Sequence, residues 1–336
     1  MPDVGLGQLV TTTGRYRSKK LKDAVKDSLP VYQAMDENGG IKRISGGRTI
    51  VEEAKSSQNA TVKWVGPAGQ VAMTDTKVLD AAEFDWRYML GAVTWTLAER
   101  YQNSGGSDTK FIDVVAGKFE VLEDTMMNLF HEGILSNGTG YSGQQLIGLA
   151  ALVSTTPTTG TVGTIDRSNA NAAWFRNLPF NTASDWTEGA VDAGNVKRFL
   201  DKGINGTMKN SVKQVQIGIL GQIHFEALTA ASQAVQMITN ESGTAKIGFD
   251  KLMYRGVPQY FGNGINYSGF SSLTTTRSYL LNLKPGGVNL KFHEKAEFDM
   301  LEPFNSQDQA AVSRLMFTMA CMTVGAGARL NWVGFD

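Results

Sequence analysis

The chain has 336 residues, with 32 Lys plus Arg balanced by 32 Asp plus Glu and a pI near 6.9, so no global charge draws it to nucleic acid or an anionic membrane. Its length leaves room for two subdomains around a substantial core. Cys321 is the only cysteine, which excludes an intrachain disulfide and a thiolate metal cage and fits synthesis in a reducing compartment; residues 1–20 lack the apolar stretch of a signal peptide, and no run reaches the ~18 apolar residues of a membrane span.

In chain order, Leu21, Val25 and Leu29 form a narrow apolar stripe at four-residue spacing, which predicts a short helix that needs another surface to lie on. Basic residues from Arg15 to Lys26 surround the stripe, and Pro30 should end or kink the helix. Residues 44–76 then read as a long hairpin, with strands over Thr49–Glu53 and Thr61–Val65 and a polar turn between them. No local third strand or helix covers this hairpin. An isolated two-stranded ribbon is marginal in water, so a neighbouring copy is the expected support. Its candidate contact residues are Arg48, Glu52, Glu53, Lys55, Lys63 and Trp64, with Leu21 and Val25 on the preceding stripe. Trp64 beside Lys63 suits an interface anchor and ordinary local packing equally.

Phe84–Trp95 is aromatic and β-compatible. Ser107 and Asp108 then offer N-cap oxygens to a helix with Phe111, Val115, Leu122, Met126 and Leu129 on one face and charges on the other. Running over about 109–133, it would be roughly 37 Å long at about 1.5 Å per residue. A Thr/Gly connector follows. Next come a helix (194–208), a strand (214–220), a helix (222–237), a strand-like run (251–261) ending at the turn signal Asn263-Gly264, and a strand (277–283). That alternation is a compact α/β unit. The last segments read as long strands returning to the first unit, which makes the middle an insertion.

The chemistry sought is not found. His131, His224 and His293 are each alone in their segments, without metal-ligand spacing; His131, at the end of the long helix, is expected to be an imidazolium favoured by the helix dipole. Gly325-Ala326-Gly327 precedes no helix, and Ser142 lacks the spacing of a nucleophile elbow. Cys321 lies between apolar residues as an inert thiol, and Met316, Met319 and Met322 read as adaptable packing. No catalytic residue, cofactor site or metal site is assigned.

The ordered segments GGRTIVEEA (46–54), DAAEFDW (80–86), AGKFEVLEDTM within the long helix, SNGTG (136–140) with the connector after it, WFRN (174–177) and FNSQDQAAVSRLMF before the terminal strands resemble the tailed-bacteriophage major capsid protein family. The resemblance implies an α+β chain with the Hong Kong 97-like capsid fold. Its parts would be an N-terminal arm (1–43), an extended-loop β-hairpin (44–80), a peripheral subdomain with the spine helix (81–148), an axial α/β subdomain (149–285) and return strands of the peripheral subdomain (286–336). It further implies a structural protein, not an enzyme, that assembles as pentameric and hexameric capsomers into an icosahedral or prolate shell around double-stranded DNA, without sequence-specific contacts or a membrane. The expected setting is the virion capsid, assembled in the host bacterial cytoplasm with a portal and a decoration protein as further partners. Arm-like sequence follows Met1 almost at once, so a separate scaffolding protein, or none, is expected. Cross-linking of a loop lysine such as Lys55 or Lys63 is not carried over. The alternatives are an encapsulin-like nanocompartment and, more remotely, an α/β enzyme with an unrecognised site.

Overall fold

The computed structural model describes residues 30–59, 61–71, 73–74, 78–96, 108–239, 251–262, 274–305 and 311–336. The chain opens with helix α1 (Pro30–Glu37), then β1 (Ile41–Ile44), β2 (Thr49–Lys55), β3 (Leu79–Asp85), β4 (Arg87–Thr96) and the long helix α2 (Asp108–Leu135). Small strands β5 (Thr161–Val162) and β6 (Ile165–Asp166) lead to β7 (Leu178–Asn181), helix α3 (Val196–Gly206), β8 (Ile217–Leu220) and helix α4 (Gln222–Thr239). There follow β9 (Lys251–Tyr254), β10 (Val257–Phe261), β11 (Arg277–Leu281), β12 (Asn289–His293), β13 (Asp299–Met300), β14 (Phe304–Asn305), β15 (Ala311–Thr323) and β16 (Trp332–Phe335). The helical stripe of Leu21 and Val25 and the turn at Asn263-Gly264 lie outside the described residues. Pro30 opens a helix where the sequence suggested an end, because its missing N–H costs nothing in the first turn.

The first sheet is organised by β15. One edge of β15 pairs antiparallel with β4 from Ala311↔Thr96 to Ala320↔Arg87; the other meets β12, β13 and β14, and β1 adds in parallel to β12. Helix α2 packs on one face, burying Phe119, Met126, Phe130 and Ile134. Gly91 of β4 leaves room there for Leu122 and Met126. The expected run from Phe84 to Trp95 is two strands, because buried Trp86 turns inward and donates its Nε1–H to the Gly47 carbonyl at 2.9 Å.

The expected hairpin pairs differently. The partner of β2 is β3, in register from Thr49↔Asp85 to Lys55↔Leu79, and Thr61–Val65 forms no strand. Ile50 and Ala54 on β2 share a buried face with Ala82 and Phe84 on β3, so this pairing lays an apolar face on the core. The run 251–261 is also a hairpin, since Arg255 and Gly256 have φ of 48° and 70°, the positive pair of a tight strand-matching turn.

The second sheet has the order β7-β16-β11-β8-β10-β9. The terminal strand β16 therefore leaves the first sheet and inserts between β7 and β11, instead of returning with its predecessors. Side chains along β8, β11 and β16 alternate between two cores: Ile217, Ile219, Tyr279, Leu281 and Val333 join the large cluster shared with the first sheet, while Leu220, Leu280 and Trp332 join a second cluster with Phe199 and Leu228 of α3 and α4. A strand buried on both faces reads as a continuous apolar run, which IGIL of β8 is.

Beyond α2 the connector is stapled by Arg167, whose buried guanidinium donates to the carbonyls of Ala151 and Leu152 at 2.8 and 2.6 Å and lies over the Phe175 ring. These are end-of-helix acceptors with no partner of their own in the short turn Leu149–Leu152. Burial lowers the Arg167 pKa to about 10. Gly148 crosses directly against the end of α2, where a Cβ would overlap the carbonyl oxygens of Gly133 and Ile134. Gly148→Ala should therefore cost about 2 kcal/mol or more, as overpacking against backbone does. Gly117→Ala, in the interior of α2 with nothing near its Cβ, should instead stabilise by up to about 1 kcal/mol; denaturant titration of both variants reads the contrast.

Candidate functional site: a bare apolar loop beside a closed core

Cys321, His131 and His224 are buried, and His293 is half-buried. Among the described residues no three His, Cys, Asp or Glu side chains group as metal ligands, and no helix is long and apolar enough to cross a membrane. Cys321 is buried, and desolvation raises its thiol pKa to about 12. His131 is buried at the end of α2, and desolvation lowers its pKa, so the imidazolium expected from the helix dipole is replaced by a neutral ring. The cost of burying the charge outweighs a helix-end attraction worth roughly 0.3–1 kcal/mol.

The structure also assembles a trio that no local spacing announced. Ser278, His224 and Asp336 meet from three distant segments, with His224 Nδ1 2.7 Å from Ser278 Oγ and Nε2 3.2 Å from Asp336 Oδ2. Ser278 and His224 are both fully buried, so no outside molecule can reach the hydroxyl in the folded chain. An apolar cleft of about 270 Å³ between β4, the end of α2 and residues 141–146 has Arg87, Tyr88, Leu129 and Tyr141 among its lining residues, and no carboxylate or histidine. It holds no acid–base pair.

The predicted contact residues separate into groups. Arg48, Glu53, Lys63 and Trp64 are exposed. Trp64 is wholly bare at 103% relative exposure, Met73 matches it at 101%, and Val62, Val65 and Val71 are also exposed. Glu52 instead turns inward: its Oε1 lies 2.5 Å from Lys291 Nζ and accepts from Thr323 Oγ1 at 2.7 Å. It fastens β2 to the first sheet. Lys55 ends β2 opposite Leu79, and Leu21 and Val25 lie outside the described residues. Sequence reasoning missed Met73, and also the exposed pair Tyr88 and Leu90 on β4; the strict alternation of β4, whose other face meets α2, is the signal that could have found the pair.

A long helix laid across a sheet built on one long strand, an inserted α/β sheet whose wall serves both cores, and a two-stranded ribbon carrying an extended loop define the Hong Kong 97-like capsid fold. Solved capsids share it. The chain superposes on the asymmetric unit of the cyanophage A-1(L) capsid with a TM-score of 0.60 at 13% identity, over 88% of this chain and 90% of that one. The mature capsid of bacteriophage PhiM1 matches with a TM-score of 0.55 at 10% identity, over 88% and 85%, and the capsid of a native GTA particle with 0.51 at 10% identity, over 90% and 89%. No family model and no curated protein matches the sequence.

Two measurements test the closed core. Glu52→Ala leaves Lys291 partly buried without its carboxylate and should destabilise the chain by about 3 kcal/mol, seen as an earlier denaturation midpoint; an unchanged midpoint would show that the pair contributes nothing. Cys321 should resist a soluble thiol reagent at pH 8 in the native chain and react at once in denaturant, and rapid native labelling would contradict its burial.

Proposed function

We propose that this chain is a major capsid protein, a structural subunit that assembles into a closed phage head shell around double-stranded DNA. The observation that carries the reading is a fold shared with capsid subunits over about nine-tenths of both chains, joined to an extended loop whose largest apolar side chains, Trp64 and Met73, are fully exposed. In this reading the arm assigned to residues 1–43 is anchored in its own subunit by α1, and 44–80 supply an extended loop. Residues 81–148 with 286–323 form the peripheral subdomain, and 149–285, joined by the terminal strand β16, the axial one that meets its copies around five-fold and six-fold positions. Arg48, Glu53, Lys63 and Trp64 are the loop residues offered to a neighbour.

The mechanism is geometric. A subunit in a closed shell gains from many repeated contacts, each modest, and a single buried aromatic anchor worth about 2 kcal/mol changes one contact roughly thirtyfold. Net charge near zero does little to hold copies apart. A scaffolding protein, a portal and assembly in the host cytoplasm belong to the same proposal.

Electron microscopy of the purified protein should show closed shells or rings of five and six subunits; a chain that stays monomeric at high concentration would overturn the reading. Nuclease-protected DNA in the shells separates a virion from a protein-filled compartment. Trp64→Ala should leave unfolding of the isolated chain within about 0.5 kcal/mol, as expected of a fully exposed position, while slowing or abolishing shell formation. Equal loss of both would place Trp64 in its own subunit's fold.

A further inference from the structure

The Ser278–His224–Asp336 line lies in the second sheet, away from the extended loop, and joins three segments that the chain visits far apart. Ser278 sits on β11, His224 is the third residue of α4, and Asp336 follows the end of β16. Asp336 also accepts from Thr182 Oγ1 at 2.9 Å and from the Val191 amide at 3.5 Å, and its own amide donates to the Thr276 carbonyl at 3.2 Å. One carboxylate thus ties the surface segment 182–191 and the last strand to the helix through His224.

Donors and acceptors match only one protonation state. The Gly221 amide donates to Ser278 Oγ at 3.3 Å; the Ser278 hydroxyl can then donate to a bare Nδ1, and Nε2–H to Asp336 Oδ2. Every proton has one place to go. A second ring proton would sit on Nδ1 and face the hydroxyl, which must then accept from it as well as from the Gly221 amide and give up its own bond to the ring. The first turn of α4 also disfavours positive charge, and the Phe199 ring, 4.8 Å from the imidazole, offers no hydrogen-bond acceptor.

We propose that this line is an acid-labile latch: with His224 neutral it closes segment 182–191 and β16 onto the second sheet, and protonation of His224 releases them. Asp336 opposes the release, and it is the charged group that acts on the ring. Lys202 of α3 is exposed to solvent, and Asp201 of α3 pairs with Arg255; other charges nearby have partners of their own. On α3, Lys197 donates to the Ala231 carbonyl and Arg198 pairs with Glu188 of the 182–191 segment. Within that segment Asp185 accepts from the Asn181 amide, on α4 Glu226 accepts from Gln222, and on β11 Arg277 acts on Tyr279.

Burial dominates over Asp336 and lowers the His224 pKa from its ordinary 6.5. The folded chain therefore binds fewer protons here than the unfolded chain, so the latch is fully stable above about pH 6.5 and weakens as the pH falls below it. The proposal concerns the single subunit and stands whether or not shells form.

Hydrogen exchange of the full chain, corrected for intrinsic rates, tests it at pH 7.5 and 5.0. Peptides over 182–191, 221–226 and 332–336 should lose at least tenfold in protection at pH 5.0, while the β4–β15 ladder keeps its protection. His224→Gln should abolish that difference whatever its baseline, and His131→Asn, altering the other buried histidine, should retain it. A second measurement needs no variant: C2–H exchange of the histidines in the unaltered chain should place the titration of His224 below 6.5 and together with the local opening. No local opening, the same opening in His224→Gln, or an opening that does not follow the titration of His224 would overturn the proposal.

Discussion

Both sheets depend on the burial of helix α1. Eight residues make too short a helix to hold in water alone, so α1 exists because Val31, Ala34 and Met35 have no solvent exposure and Tyr32 almost none. Its ring edges meet Phe130 of α2 and Phe292 of β12 on the side of the first sheet. On the other side it packs on β8 and β10 of the second. Two carboxylates close the wedge: Tyr32 donates to Glu297 at 3.3 Å, and Tyr260 of β10 donates to Glu37 at 2.9 Å. Buried Glu297 is in turn gripped by Arg43 at 2.6 and 2.8 Å, a bidentate geometry among the stronger charge-assisted bonds. Each fully buried aliphatic side chain in such a wedge contributes about 2 kcal/mol, and Val31, Tyr32, Ala34 and Met35, within the segment that the sequence assigned to an arm, are here core.

From that wedge follows the two-faced character of the second sheet. With α1 and the first sheet on one side and α3 with α4 on the other, its central strands have no solvent face to spend on polar side chains. The chain must still cross from β15 to β16 between the sheets, and it does so through asparagines: buried Asn331 donates to the carbonyls of Gly327 and Ala328 and accepts from the Asn282 amide at 2.8 Å. Asn331 is admitted to this wall because it satisfies backbone, which is the condition for burying a polar group at tolerable cost. The line through His224 is the ionisable case of the same rule.

Legibility in the sequence followed the range of the interaction. The long helix, α3 and α4 depend on local periodicity and could be read within a residue or two of their ends, and β8 to within three at its start. The partner of β2 could not, because Thr61–Val65 and Leu79–Asp85 both suit a strand and only the core beneath Ala82 and Phe84 distinguishes them. The destination of β16, the inward turn of Glu52 towards Lys291 and the meeting of Ser278 with His224 rest on contacts between distant segments. Composition spoke to the site only by default: isolated histidines and one apolar-flanked cysteine suggested a chain without a working centre, and Trp64 on a Gly-flanked stretch suggested a contact.

The contrast between core and loop is what gives that contact physical weight. Inside the described chain, Arg43, Lys291 and Arg167 are each matched by carboxylates or carbonyls held within hydrogen-bond distance. Along 61–71, by comparison, the bonds among the described residues are confined to local turns such as Gly69 to the Gly66 carbonyl. Long connections without secondary structure are uncommon in compact domains unless they serve a purpose outside their own packing, and loops of polar composition would serve as connectors equally well. This one places a bare tryptophan, a bare methionine and three valines in water. A partner surface that covered Trp64 and Met73 would recover about 2 kcal/mol from each, a gain that recurs with every subunit added to an assembly.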